Sequence, residues 1–129
     1  MSVFFYGTSE LISQFTDKSL KIVIPKGIED KLVLFEFYNK ILMFPDYFGW
    51  NWDAFYECMI TLPMIEENQI IVVHEDLPFE NNLEQRRIYI YALREIVLSW
   101  AETGVKNILV FFPEECKNNV LEIEISGEF

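Results

Sequence analysis

A small α/β protein, with a parallel β-sheet flanked by helices, is predicted by three features of this 129-residue sequence. Strand-like apolar runs stand at residues 21–24, 69–73 and 105–112, and the stretches between them carry apolar side chains at helical spacing. Strands alternating with helices build parallel sheets with right-handed crossovers. No repeat, low-complexity tract or Pro/Gly/Ser linker divides the chain, so residues 1–129 read as one domain, and 51% hydrophobic content is enough for a substantial core.

Each element has its own signal. Residues 2–6 form a short strand closed by Gly7, followed by a helical turn over 10–15. The β-branched run 21–24 is stopped by Pro25 and Gly27, and residues 30–42 then form a helix with Leu34, Phe37, Tyr38 and Ile41 inward. Pro45 and Gly49 break regular structure, and Asn51 is a good helix cap, so a second helix starts at Trp52 and ends near Pro63. The run 69–73 is uniformly apolar, as in a sheet covered on both faces. Residues 82–103 form a long helix closed by Gly104. Its inward side chains are Tyr89, Leu93, Ile96, Val97 and Trp100, with Arg86, Arg87, Arg94 and Glu95 outward. The last segment, 120–125, alternates apolar and acidic residues as a half-exposed edge strand does. It is expected to pair at the sheet margin beside the N-terminal strand, with Glu122 and Glu124 discouraging aggregation.

The charge balance narrows the partner. With 21 acidic residues against 10 basic ones and a net charge of -11, direct contact with nucleic acid phosphates or anionic membranes is disfavoured and a basic protein partner favoured. Cys58 and Cys116 have no zinc spacing and no CxxC pairing, and are read as reduced, Cys58 as a buried structural thiol. The N-terminus lacks a charged start and a long apolar run, so neither a signal peptide nor a membrane span is expected, and the protein is placed in the cytoplasm.

The most informative stretch is 44–59, FPDYFGWNWDAFYECM. At about 100° per residue, Trp52, Phe55, Met59 and Leu62 share one face of the helix, while Asp53, Tyr56, Glu57 and Ile60 share another. The first set is core. In the second, two acids stand one turn apart, where like charges cost about 0.2–0.5 kcal/mol, and no Lys or Arg lies within a turn to relieve them. Asp53 gains from the helix dipole, whereas Glu57 lies beyond the first turn. Such a face reads as a binding device. Trp50 either stands exposed as an interface anchor or packs under the loop.

The run Pro45, Asp46, Tyr47, Phe48, Gly49, Trp50, Asn51, Trp52, Asp53, Ala54, Phe55, Tyr56, Glu57, Cys58 resembles the signature of the barstar family, intracellular inhibitors of secreted bacterial ribonucleases. More loosely, through the order of elements, the resemblance extends over about 21–112, leaving extensions at 1–20 and 113–129. In that family the helix after this loop plugs the nuclease active site. The resemblance thus implies a barstar-like fold and a partner-facing set of Tyr47, Asn51, Asp53 and Glu57, with Tyr56 beside them; Trp50 and Ile60 join from the reading of the faces. Two departures bear on the partner. The second acid is Glu57, where the best-known members carry Asp, and Ser99 stands where the type member offers a further acid, with Glu95 and Glu102 nearby.

The expected function is inhibition of a nuclease toxin, one that cleaves RNA, by occlusion of its basic active site: an immunity protein of a toxin-producing bacterium. The alternative is a barstar-fold interaction or regulatory module whose basic partner is not a nuclease. A third reading is an enzyme built on His74 with Glu75 and Asp76 at a strand end, a common ligand position, but these residues lack HExxH-like spacing. No Ser nucleophile elbow or glycine-rich phosphate loop is present. No catalytic residue, cofactor or metal is therefore expected.

Overall fold

The computed structural model describes residues 2–7, 19–61, 67, 69–104 and 107–126. Four strands, β1 (Phe5–Tyr6), β2 (Ser19–Ile24), β3 (Gln69–His74) and β4 (Asn107–Phe112), form one sheet in the order β1-β4-β3-β2. All three pairings are parallel, with Ile22 beside Val72, Val72 beside Val110, and Phe5 beside Phe111. Helices α1 (Lys31–Leu42) and α2 (Trp52–Ile60) lie between β2 and β3 in sequence, and α3 (Leu83–Thr103) lies between β3 and β4. The expected α/β architecture with a small parallel sheet and flanking helices is present. The expected turn over 10–15 falls outside the described residues.

Alternation along the strands splits the buried side chains between the two faces. Ile22, Ile24, Ile70, Val72, Ile108, Val110 and Phe112 join the helices in the main core. Ile71 and Phe111 form a smaller cluster with Val73 and Leu109, and Phe5 stacks on Phe111 at 5.2 Å.

Three expectations need correction. Helix α1 buries Leu34, Phe35, Tyr38 and Leu42, a stripe rotated from the expected one, so Phe37 is half-buried and Ile41 exposed. The cause is Phe35, which the site helix and its loop surround: Phe48, Trp52 and Phe55 lie 5.7, 5.1 and 5.2 Å from it. On α3, Ile90 is buried while Val97 is half-buried, and Arg86 turns back to donate to the carbonyls of Leu77 and Pro78, both at 2.9 Å.

The third correction concerns 120–125, which is not an edge strand. A 3₁₀ turn (Glu114–Cys116) leads into a fourth helix, α4 (Lys117–Ser126). The margin beside the end of β4 is already held by β1. With that place occupied, the helical face meets the N-terminal segment at i, i+3 and i+7. The Lys117 ammonium lies 5.7 Å from the Tyr6 ring, Val120 is fully buried, and the Glu124 carboxylate accepts from the Ser2 hydroxyl at 2.6 Å and the Val3 N–H at 3.3 Å. The described parts of the two extensions thus close on each other and on β4.

His74 is 3% exposed and sits at the centre of a buried polar chain. Its Nδ1 lies 3.0 Å from the Phe111 carbonyl, which can only accept, so Nδ1 carries the proton. Nε2 therefore accepts from the Tyr89 hydroxyl at 2.6 Å, and Tyr89 in turn accepts from the Tyr38 hydroxyl at 2.6 Å. Burial lowers the His74 pKa from 6.5 to about 3, only partly opposed by the bond to Phe111.

Because the folded value lies below the unfolded one, this contribution to stability is complete above pH 6.5 and is lost as pH falls from there towards 3. Between pH 7 and pH 4.5 the protein should lose roughly 2 kcal/mol of unfolding free energy through this residue. His74→Gln, which cannot charge, should lose correspondingly less, although it starts from a lower stability at pH 7. Urea unfolding at both pH values measures the two slopes, and equal slopes would assign the acid sensitivity to other groups.

Candidate partner-binding site

The loop before α2 is anchored from within. Met43 caps α1 in the left-handed region, and its N–H reaches the Asn39 carbonyl, while Asn39 Oδ1 accepts from the Phe44 N–H at 2.8 Å. Phe44 and Phe48 are buried side chains whose rings lie 4.8 Å apart, and the Phe48 N–H closes a turn on the Pro45 carbonyl at 2.9 Å. That turn holds Tyr47 out, 85% exposed.

Trp50 has φ 54°, a region that costs an L residue about 1–2 kcal/mol. Its ring lies 5.1 Å from Phe48 and remains 37% exposed, so it both packs on the loop and presents an edge to solvent. It also walls a hollow of about 200 Å³ with Asn39, Phe44, Pro45, Asp46 and Phe48.

Asn51 caps α2 as expected. Its Oδ1 accepts from the Ala54 N–H at 2.8 Å, so the side chain is engaged within the chain even though the residue is exposed. A Cβ at Gly49 would lie 3.1 Å from Asn51 Nδ2, so a larger residue there would press on the capping side chain.

The two faces of α2 separate as the spacing predicts except at Trp52, which was expected in the core and is half-buried, packed against it. Phe55 and Met59 are fully buried and Cys58 nearly so, while Asp53 and Glu57 are exposed, with Tyr56 and Ile60 half-buried beside them. Burial, then the neighbouring Glu57, pushes the Cys58 thiol pKa up, which suits a structural cysteine. Leu62 lies outside the described residues.

The helix is tied at both ends. The Trp52 indole N–H donates to Gln85 at 2.8 Å, and the Trp100 indole N–H donates to the Met59 carbonyl at 3.0 Å. Thr61 closes the last turn through the Glu57 and Cys58 carbonyls, each 3.0 Å away.

Neither Asp53 nor Glu57 is in an ion pair among the described residues; Arg94 and Glu95 on α3 form one at 3.7 Å. A groove of about 310 Å³ runs along α2. Trp52, Asp53 and Tyr56 line one side, and Ile88, Tyr91, Ala92 and Glu95 of α3 line the other. Glu57 does not line it. The sequence drew attention to Glu95 on α3, but Ile88, Tyr91 and Ala92 were missed, because only the pairing of the two helices brings them to the motif.

The structure places the His74 group differently. His74 is enclosed, Glu75 is exposed, and Asp76 Oδ2 accepts from the Gly27 N–H at 3.0 Å. Among the described residues, no group of three or more His, Cys, Asp and Glu side chains is placed to hold a metal ion.

A parallel sheet backed by helices, with a short capped helix presenting two acids that are unpaired among the described residues beside exposed aromatic residues, defines an α/β protein with an exposed acidic helix face. Residues 21–112 match the family described as Barstar (barnase inhibitor), and the chain belongs to the barstar family. Neither the curated proteins nor the solved structures provide a match. Members of the family are inhibitors that bind a ribonuclease.

Asn51→Ala should destabilise the free protein by about 1 kcal/mol, because an open N–H of the first turn loses its acceptor. Asn51→Asp, which keeps an accepting oxygen and adds negative charge at the helix start, should retain most of that stability. Urea unfolding of the three proteins tests the order. Full stability in Asn51→Ala would remove the cap from the account of why α2 starts at Trp52.

Proposed function

We propose that this protein inhibits an RNA-cleaving nuclease toxin by filling the toxin's basic active site, and that it acts as an immunity protein in the cytoplasm of the bacterium that makes the toxin. The observation that carries this reading is the unpaired Asp53–Glu57 face on a rigidly held helix, in a chain of the barstar family. Nuclease active sites gather cations to hold phosphate. Carboxylates fixed on a helix can occupy those cations without offering a bond to cleave.

Glu57 and Asp53 stand in for substrate phosphate. Tyr47, Trp50 and Tyr56 supply rigid aromatic contact, and Ile60 extends the apolar part of the surface. Asn51 contributes by setting where the helix begins. Occlusion requires no chemistry of the inhibitor's own, so the protein is not an enzyme and needs no cofactor or metal. Among the described residues, no helix is long and apolar enough to cross a membrane, and the acidity of the chain disfavours direct contact with nucleic acid.

Co-expression with the toxin domain encoded beside this gene, followed by copurification and an RNA-cleavage assay, tests the reading. Copurification with loss of cleavage is expected. Capture of a basic protein without nuclease activity would instead favour the regulatory-module alternative.

Asp53→Ala and Glu57→Ala should each weaken inhibition by about 2 kcal/mol or more, because each leaves desolvated cations of the partner unpaired. Either change should leave the stability of the free protein unchanged or slightly higher, since it removes one of two like charges a turn apart. Titrated inhibition and urea unfolding of both variants measure the two effects together. Unchanged inhibition would show that the acids of α2 do not face the partner.

Association with the toxin should be fast at low salt and slow markedly as ionic strength rises, whereas dissociation should respond less. Stopped-flow rates across a salt series decide this. A salt-independent association rate would leave the charge of -11 as a matter of solubility alone.

A further inference from the structure

We infer that two copies of this chain associate through α1, the outer stripe of Val33, Phe37 and Ile41 on one copy packing antiparallel against the same stripe on the other. The inference goes beyond the inhibition of a nuclease and does not depend on it.

The stripe is what the core leaves over. Leu34, Phe35, Tyr38 and Leu42 supply the buried face of α1, yet Val33 is 40% exposed, Ile41 is 36% exposed and Phe37 is only half-buried. These three stand at i, i+4 and i+8, so they form one continuous row along the helix. Leu32 at one end and Met43 at the other are exposed as well. A helix that is apolar on nearly every side is ordinarily enclosed on every side. Single exposed apolar residues need no explanation, but a row of them on one helix marks an interaction surface.

Charge selects the occupant. Two copies of a chain with net charge -11 repel each other, so they can meet closely only where the local charge is not negative. Among the described helices, α1 alone carries more bases than acids, Lys31 and Lys40 against Glu36. A basic partner is disfavoured there for the same reason.

The charges on α1 also complement their own image. Glu36 and Lys40 stand one turn apart on a single flank of the stripe, and neither is in an ion pair among the described residues. A twofold axis beside Phe37 that runs the helices antiparallel sets Lys40 of each copy within about 3 Å, along the helix axis, of Glu36 of the other. The same axis places Val33 against Ile41 and joins the two Phe37 rings at the centre. Parallel packing would instead face Glu36 with Glu36 and Lys40 with Lys40.

Association in this way leaves α2 open. The stripe lies about 160–240° around α1 from Phe35, the side chain that meets Trp52 and Phe55 of α2. Each copy therefore keeps its Asp53–Glu57 face clear of the contact. One helix pair is small beside a standard interface, so the dimer is weak and dissociates on dilution.

The experiment is sedimentation velocity of the full chain across a wide concentration series at physiological salt. A reversible shift from one copy to two is expected as concentration rises. Val33→Glu should weaken the dimer about tenfold or more, because it buries an unpaired charge in the contact. Lys40→Glu should weaken it several-fold by facing Glu36 with a like charge. Lys21→Glu makes the same change of net charge at an exposed position of β2 and should weaken it much less. Glu36→Lys combined with Lys40→Glu should restore association. A chain that stays single at every concentration, assembly that does not stop at two, a Val33→Glu protein that associates like wild type, or equal effects of Lys21→Glu and Lys40→Glu would overturn the inference.

The toxin assay keeps the two readings apart. Val33→Glu with the dimer lost and inhibition unchanged would support the assignment of α1 to self-association, whereas inhibition lost in Val33→Glu would show that α1 faces the toxin and overturn it. Failure of the chain to inhibit any nuclease would remove the proposed function and leave the sedimentation result standing.

Discussion

The Trp52 indole is the side chain on which the placement of α2 depends. Its ring meets Phe35 of α1 at 5.1 Å, Phe55 of its own helix at 6.0 Å, Phe79 at 6.1 Å and Tyr89 of α3 at 5.9 Å, and its N–H is held by Gln85. One side chain therefore joins three helices at the first residue of α2. Tyr89 carries the linkage inward through His74 to the Phe111 carbonyl of β4, and Tyr38 carries it to α1. A helix of nine residues is marginal alone in water, so its orientation must come from packing. The backbone that carries the acids of α2 is consequently fixed by packing, so only their side chains remain free to move.

That rigidity explains how two like charges persist on adjacent turns. Folding gains nothing from Asp53 facing Glu57, and no described residue pairs a cation with either. The cost is a few tenths of a kcal/mol, small beside the burial of Phe55 and Met59 on the opposite face of the same helix. The core therefore sets where α2 lies, and its outer face is free to carry residues that serve a partner. Tyr47 follows the same logic: Phe44 and Phe48 hold the loop from below, so the tyrosine between them can stay exposed.

What the sequence disclosed follows from how local each signal is. The start of α2 was legible because Asn51, Asp53 and the apolar spacing lie within one short window, and the division into a core face and an acidic face followed from helix geometry alone. The inward stripe of α1 was misjudged because Phe35 answers to Phe48, Trp52 and Phe55, side chains at least thirteen positions away. The segment 120–125 was misjudged for a related reason. Its period-two pattern is a genuine strand signal, but β1 holds the margin beside the end of β4, and Ser2 and Val3 reward a helical face. His74 could be seen as a lone histidine at a strand end; that a tyrosine and a carbonyl would occupy both ring nitrogens could not.

If Glu57 faces the partner as proposed, its length constrains that partner further. Its carboxylate sits one methylene beyond where Asp would hold it, on a side chain with one more rotatable bond. Immobilising the longer side chain costs more rotamer entropy, at most about 1 kcal/mol extra. A cleft that accepts it must offset that cost with a deeper cation or an additional donor. Because α2 is tied at Gln85 and at Trp100, the helix cannot retreat to shorten the reach. The mismatch must therefore be accommodated by the partner, and a nuclease shaped for Asp in this place would meet the Glu57 carboxylate too early. On the proposed reading, one methylene on a fixed helix would then discriminate between nucleases.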